Sequence, residues 1–294
     1  MLQGELPLGE ESVLAPLPLD TGGNEADTEF VSRVWKYHRH HRRPMVWRDE
    51  ITPYNVFVSE IMLQQTQVSR VKERFPRFLS RFPGFEELAA ATLAEVLQEW
   101  SGLGYNRRAR FLHEAARRIV TEYGGVMPED PDLLATLPGV GKHTAGSIAA
   151  FAYNRPTLFL ETNIRTVFIY YYFPGKEAVP DAEILPLLER TLQREAPREW
   201  YYALMDLGVL IKRRVGNLTR KSKGYSKQSA FKGSLREVRG AILRQLSAAD
   251  SPVSEELLRE SLSFEEERFQ RALDALESEG MITAERGGTY RLRE

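Results

Sequence analysis

The sequence predicts a mainly α-helical protein that ends in a small α/β unit. From Phe30 to about Leu210, apolar residues recur at spacings of three and four, the helical period. The helical stretches are short and broken by turn punctuation: Phe82-Pro83-Gly84, Gly102-Leu103-Gly104, Tyr123-Gly124-Gly125 and Leu137-Pro138-Gly139. The C-terminal stretch reads as helices over Leu235–Leu246, Ser254–Leu262 and Phe264–Glu279. A hairpin of Met281–Ala284 with Thr289–Arg293 follows across Gly287-Gly288. Three helices and a hairpin are the pattern of a winged helix.

Taken in order, residues 1–27 are rich in Gly, Pro and acids without periodicity, and are expected to be a disordered acidic leader. Residues 28–211 form the all-α domain, with helices expected over Ala109–Tyr123, Thr144–Ala152 and Asp181–Glu195. Residues 212–233 read as a basic loop with no core pattern, and residues 234–294 as the winged-helix-like domain. There is no internal repeat and no heptad run.

With 294 residues, 42% of them hydrophobic and 28% charged, the chain has the composition of a globular protein of two domains. The absence of cysteine excludes disulfides, thiolate zinc sites, cysteine-held iron–sulfur clusters and a cysteine nucleophile. No apolar run approaches the roughly 18 residues that span a membrane, and no secretory signal opens the chain. The expectation is a monomer without a membrane partner, cytoplasmic, and nucleoid-associated if the source is prokaryotic.

Net charge is −1, but it is unevenly distributed. Residues 1–32 carry seven acids and no Lys or Arg, so the remainder holds 40 basic against 34 acidic residues. Arg33–Arg43 reads RVWKYHRHHRR, and Lys212–Lys232 has eight Lys or Arg and no acid. Such runs suit phosphate binding, because neutralised phosphates release counterions; a solvated face is the alternative for either run. His38-Arg39-His40-His41 lacks the carboxylate or thiolate partners of a metal site and reads as a solvated basic face. No metal and no cofactor are expected.

Leu137-Pro138-Gly139-Val140-Gly141-Lys142 precedes a small-residue helix. Paired glycines let the backbone turn sharply and present consecutive N–H groups at a helix N-terminus, which binds anions. A nucleotide P-loop would need Gly at Thr136 and Ser or Thr at His143, so that reading fails twice. A hairpin between helices that grips a DNA phosphate, or a plain helical corner, remains.

Tyr54-Asn55-Val56-Phe57-Val58-Ser59-Glu60-Ile61-Met62-Leu63-Gln64-Gln65-Thr66-Gln67-Val68 closely resembles the signature of MutY-type adenine DNA glycosylases. Trp100-Ser101-Gly102-Leu103-Gly104-Tyr105, the Leu137–Thr144 hairpin and Met205-Asp206-Leu207-Gly208 resemble further family motifs, in the family's order. The resemblance covers about residues 30–211. It implies the two-lobed helix-hairpin-helix (HhH-GPD) glycosylase fold, whose cleft receives a base extruded from double-stranded DNA.

By this resemblance Glu60 is the acid that protonates the purine N7. Its apolar neighbours Val58, Ile61, Met62 and Leu63 predict burial and a raised pKa. Where the superfamily carries Asp, this chain has Leu160-Glu161-Thr162-Asn163-Ile164-Arg165, so Glu161 is the expected oxocarbenium stabiliser, on an arm one methylene longer. Lyase members place a Schiff-base Lys directly before the Thr of the hairpin helix. Here His143 precedes Thr144 and Lys142 falls one residue earlier, about 100° around a helix, so the chemistry is expected to be monofunctional. His143 lines the pocket or bonds the DNA backbone. Gln64, Gln65 and Tyr105 are the implied wedge. Leu137, Gly139, Val140, Gly141, Lys142, Thr144 and Asn163 complete the DNA-contacting set.

The resemblance then breaks. The family's four cluster-holding cysteines are replaced by Lys212–Gly233, where Arg213, Arg214, Arg220, Lys221 and Lys223 are candidates for phosphate contact. The family's 8-oxoguanine-recognising domain is replaced by the winged-helix-like unit. Nine acids against three arginines over Ser254–Glu279 argue against base reading by its third helix, while Arg286, Arg291 and Arg293 of the wing remain candidates. The expected activity is removal of adenine or a related purine from a mismatch or lesion. The alternatives are a mismatch thymine or uracil, hypoxanthine or damaged-pyrimidine glycosylase, or a non-catalytic DNA-binding regulator.

Overall fold

The computed structural model describes residues 9–19, 23–227, 230–249, 251–285 and 287–293. Helices α1 (Glu10–Val13), α2 (Gly23–His41) and α3 (Val46–Asp49) open the chain. Helices α4 (Pro53–Leu63), α5 (Val68–Arg81), α6 (Phe85–Ala90), α7 (Leu93–Trp100), α8 (Arg107–Tyr123) and α9 (Pro131–Leu134) follow. Next come α10 (Lys142–Tyr153), α11 (Thr162–Tyr172), α12 (Asp181–Thr191), α13 (Pro197–Arg214) and a 3-10 turn at Leu218–Lys221. The remainder is α14 (Leu235–Ser247), β1 (Val253–Ser254), α15 (Glu255–Leu262), α16 (Glu266–Ser278), β2 (Ile282–Glu285) and β3 (Thr289–Leu292). The chain forms two compact units, Met1–Asp49 with Lys142–Lys227, and Glu50–Gly141 with Gln228–Glu294.

In the first unit, α2 and α13 pack around α11. Phe30 of α2 is the centre of an aromatic cluster, with ring centroids 5.4 Å from Phe168, 5.5 Å from Tyr171, 5.3 Å from Tyr172 and 6.0 Å from Trp200. Each buried ring contributes roughly 1.5–3 kcal/mol through area, and edge-to-face pairing adds about 1 kcal/mol. α13 crosses close to the start of α11 at Gly208, where a Cβ would stand 2.5 Å from the Asn163 carbonyl oxygen. Only glycine permits that approach.

In the second unit, Pro53 starts α4 and Thr52 caps it by accepting from the Asn55 amide at 3.0 Å. Every residue from Tyr54 to Met62 is buried except Glu60. α5, α7 and α8 pack on or beside this helix, and a Thr92–Glu95 capping box fixes the start of α7. The C-terminal domain packs Val238, Ile242 and Leu246 of α14 with Phe269, Leu273 and Leu276 of α16, each set at helical spacing. Its antiparallel sheet runs β1-β3-β2, pairing Val253 with Tyr290 and Ile282 with Leu292. This is the winged-helix order. The two-residue β1 was too short to leave a period in the sequence.

Two expected segments differ in the structure. Residues 9–19 and 23–27 of the leader are not disordered: residues 23–27 open α2, Val13 and Leu17 are buried, Tyr170 donates to the Leu14 carbonyl at 2.6 Å, Tyr171 to that of Val13, and Arg33 to that of Ala15. Apolar side chains and tyrosine donors on α11 thus hold a segment whose composition alone favours disorder. Residues 1–8 and 20–22, also assigned to the leader, lie outside the described residues, as does Arg286 of the wing. The basic loop is also partly built. α13 continues through Arg214, Thr219 and Ser222 are buried, and Val179 exchanges backbone bonds with Lys221 and Lys223 at 2.8 and 2.9 Å.

Candidate active site

Glu60 is the sole acid of α4 and its only half-buried residue between Tyr54 and Met62. The helix ends three residues later, with Gln64 as its C-cap, and the chain enters the first of two strained turns. Gln65 has φ +53° and Tyr105 has φ +49°. For residues with a Cβ the left-handed region costs roughly 1–2 kcal/mol, a strain held only where the surroundings impose it.

Arg108 imposes it. Its buried guanidinium donates to the carbonyls of Ile61 (2.7 Å), Met62 (2.8 Å) and Gly104 (3.1 Å) and to Thr66 Oγ1 (2.8 Å). One side chain therefore ties the end of the acid-bearing helix to both turns. Burial pulls its pKa down to about 10, which leaves it charged at neutral pH. Sequence reasoning missed Arg108; the only signal was its place three residues after Tyr105. Gln64 Nε2 in turn donates to the Gly139 carbonyl at 3.3 Å, so the wedge turn is joined to the hairpin.

The hairpin closes with the Val140 amide bonded to the Leu137 carbonyl at 3.1 Å. Gly139 has φ +76°, and a Cβ there would stand 2.8 Å from that of Phe111, so both conformation and space require glycine. Leu137 and Val140 are buried and serve the core. Gly141, Lys142 and His143 are exposed, and α10 begins at Lys142. The backbone at this turn, with Lys142, is the part open to a phosphate.

In the unit that carries Glu161, three predicted residues come together. Glu161 is the N-cap of α11: its Oε1 accepts from the amides of Asn163 (2.8 Å) and Ile164 (3.1 Å), and Oε2 from Asn163 Nδ2 (3.3 Å). The longer arm thus makes the cap that a shorter acid usually makes. Desolvation pushes the Glu161 carboxyl above the usual carboxylate range and outweighs the two amide bonds that pull it down. His143 Nδ1 accepts from the Leu160 amide at 3.3 Å, next in sequence to Glu161. With Nδ1 accepting, a neutral ring carries its proton on Nε2. Arg165 forms a bidentate pair with Asp181, both bonds 2.8 Å, and this bond holds Asp181 below its ordinary pKa. Glu60 and Glu161 stand in different units.

A buried network fixes α13 to the chain ahead of α4. Asp206 accepts from Arg43 Nε (2.6 Å) and Arg48 (2.8 Å), and lies 3.5 Å from His38 Nδ1. Desolvation opposes its ionisation, but the His38 bond and the two guanidinium charges hold it down to about 2. His38 is buried, hydrogen-bonded to Glu199 and within ion-pair distance of Asp206, and its pKa is raised above the usual value despite desolvation. The expectation of a solvated face therefore fails at His38. Its anion stands 168 positions along the chain.

The cationic runs are similarly engaged. Arg213 and Arg214 both donate to Glu10, and Lys221 pairs with Glu177 at 2.6 Å; Arg220 is exposed. Three of the five loop cations named for phosphate contact thus already hold carboxylates, two of them because the leader brings Glu10 onto the end of α13.

A helical protein with a glycine hairpin leading into a helix, an acid in an otherwise buried helix and a second carboxylate capping another helix has the features expected of helix-hairpin-helix proteins that act on DNA bases. Residues 58–190 match the HhH-GPD superfamily of base excision DNA repair proteins. An adenine DNA glycosylase of Mycobacterium tuberculosis is 34% identical over 95% of this chain and 97% of its own length. One of Mycolicibacterium smegmatis is 33% identical over 87% and 93%. The solved structure of a thermostable thymine-DNA glycosylase is 25% identical, with a TM-score of 0.56, over 63% of this chain and 87% of that one. The chain belongs to the adenine DNA glycosylase family of the HhH-GPD superfamily, and is a DNA N-glycosylase.

The family's cysteine-held iron–sulfur cluster does not fit this chain, since the stretch after α13 offers ammonium, guanidinium, hydroxyl and amide groups and no thiolate. Among the described residues, no group of three or more His, Asp or Glu is placed to hold a metal ion, and no helix is long and apolar enough to cross a membrane.

Proposed function

We propose that this chain hydrolyses the N-glycosidic bond of adenine, or a related purine, extruded from a mismatch or lesion in duplex DNA, without lyase activity. The observation that carries this reading is Glu60, the one acid and the one half-buried position in a helix otherwise closed from Tyr54 to Met62. Glu60 donates its proton to the purine N7. The C1′–N9 bond breaks with its electron pair leaving on the base, and the Glu161 carboxylate supports the oxocarbenium. Water adds to C1′ and gives its proton to Glu161. His143 Nε2–H is a donor beside this carboxylate's segment. No amine stands at position 143, so no Schiff base forms there.

Two tests arise from this reading. Single-turnover release from duplexes carrying adenine, thymine, uracil or hypoxanthine should yield adenine foremost, and borohydride should trap no covalent adduct. A trapped adduct would contradict the monofunctional chemistry. Thymine release instead of adenine would favour a second reading, which the 25% identity to the thymine-DNA glycosylase supports.

The second test is pH dependence. Glu161 must be ionised to support positive charge, and its folded pKa is raised. Turnover therefore rises as pH climbs through a midpoint above the ordinary carboxylate value of 4.5, and this limb should vanish in Glu161→Gln. A limb at or below that value in the wild type would remove Glu161 from the role.

A further inference from the structure

We propose that the leader carries a phosphate mimic: Glu10 occupies Arg213 and Arg214 at the end of α13, and duplex DNA must displace it to use them. This goes beyond the glycosylase reading above and needs only that the chain binds DNA. Glu10 takes both arginines at once. Arg213 donates to its Oε1, while Arg214 donates to Oε2 through Nε at 2.5 Å. Two guanidiniums converging on the oxygens of one anion can take a phosphate in the same way. The bond from Arg214 foremost holds the Glu10 carboxyl below the usual carboxylate range, so the mimic is charged at neutral pH.

The contact is not needed to dock the leader. Val13 and Leu17 are buried, and the carbonyls of Val13, Leu14 and Ala15 accept from Tyr171, Tyr170 and Arg33. Glu10 precedes all of these anchors, at the start of α1, and meets arginine side chains that are 62% and 57% exposed. Exposed ion pairs of this kind hold weakly, so a duplex phosphate can take the carboxylate's place. The charge distribution suits the exchange. Residues 1–32 carry seven acids and no Lys or Arg, while Lys212–Lys232 carries eight Lys or Arg and no acid.

The arginines also stand near the site. Gly208 of α13 lies against Asn163, in the first turn of the helix that Glu161 caps. Arg213 and Arg214 follow about 8–9 Å further along the α13 axis, the length of roughly three base steps of duplex. Backbone phosphates near a nucleotide held at Glu161 therefore come within reach of these side chains. Glu10 lowers the affinity for duplex by keeping them occupied.

The test uses the full chain and an uncleavable duplex carrying an abasic-site analogue, with affinity read by fluorescence anisotropy from about 50 to about 200 mM salt. Glu10→Gln should bind about three- to tenfold more tightly at low salt, and the gain should shrink as salt screens the wild-type pair. Glu11→Gln removes the same charge one residue away and should change affinity by less than about 1.5-fold. In the Arg213→Ala, Arg214→Ala background, adding Glu10→Gln should gain nothing, because the cycle isolates the contact itself. Hydrogen exchange gives a readout without substitution. The Val13 and Leu14 amides bond to the carbonyls of Gly9 and Glu10, and should exchange faster when the wild type is saturated with duplex. If Glu10→Gln undocks the leader, the wild-type exchange still decides. Equal affinities at low salt, a gain that persists without the two arginines, or amides slowed or unmoved by DNA would overturn the proposal. A chain that releases no base would sink the glycosylase reading and leave this test unaffected, since it reads affinity alone.

Discussion

Glu60→Gln lowers single-turnover base release by about 10²- to 10⁴-fold, the range for loss of a positioned general acid, while duplex affinity changes by less than about threefold. The substitution keeps the shape and hydrogen-bonding reach of the side chain and removes only its transferable proton. The setting makes the result diagnostic. Glu60 lies in a helix buried from Tyr54 to Met62, and Arg108 pins the carbonyls of Ile61 and Met62 next to it. A merely structural glutamate would lose binding or thermal stability together with turnover. Turnover close to that of the wild type would remove Glu60 from the mechanism.

Asp206→Asn destabilises the unit by about 3–5 kcal/mol, the cost of removing one partner from a buried ion network. Arg48 is buried, and Arg43 and His38 share the same carboxylate. The pH dependence follows from the two folded pKa shifts. Asp206 is depressed, so its contribution is present above the unfolded carboxylate pKa and is lost as pH falls toward about 2. His38 is raised, so its contribution is present below the unfolded imidazole pKa and is lost as pH rises through its folded value. Thermal scans across pH should show the wild type weakening on both sides and the variant flattened on both. A variant within about 1 kcal/mol of the wild type would show that the network does not anchor α13.

The legible parts of this protein are those governed by local pattern. The signature around Glu60 is contiguous, the Leu137–Lys142 turn needs Gly139 for backbone reasons, and the C-terminal helices show their period in sequence. What escaped depends on partners distant along the chain. Glu10 meets Arg213 and Arg214 some two hundred residues away, which converts expected phosphate ligands into ion pairs. His38 looked solvated because its anion, Asp206, is supplied by α13. Arg108 carries no motif of its own, since its role is to satisfy the carbonyls of Ile61, Met62 and Gly104 and the Thr66 hydroxyl across two turns. Gly208 was legible as part of a motif, but its reason appears only where α13 meets the Asn163 carbonyl.

The charge distribution of the C-terminal domain was the least legible. Its acids lie mostly on α15 and α16, whereas α14 carries Arg236, Arg239 and Arg244. Charge counted over a segment averages faces that folding separates.

Hydrolysis of adenine's N-glycosidic bond is tested most directly by a single-turnover reaction of the full chain with an adenine-containing mismatched duplex, its products resolved by mass spectrometry. Free adenine with an unbroken abasic strand is the predicted result. No free adenine, or a cleaved strand bound covalently to the protein, would contradict it.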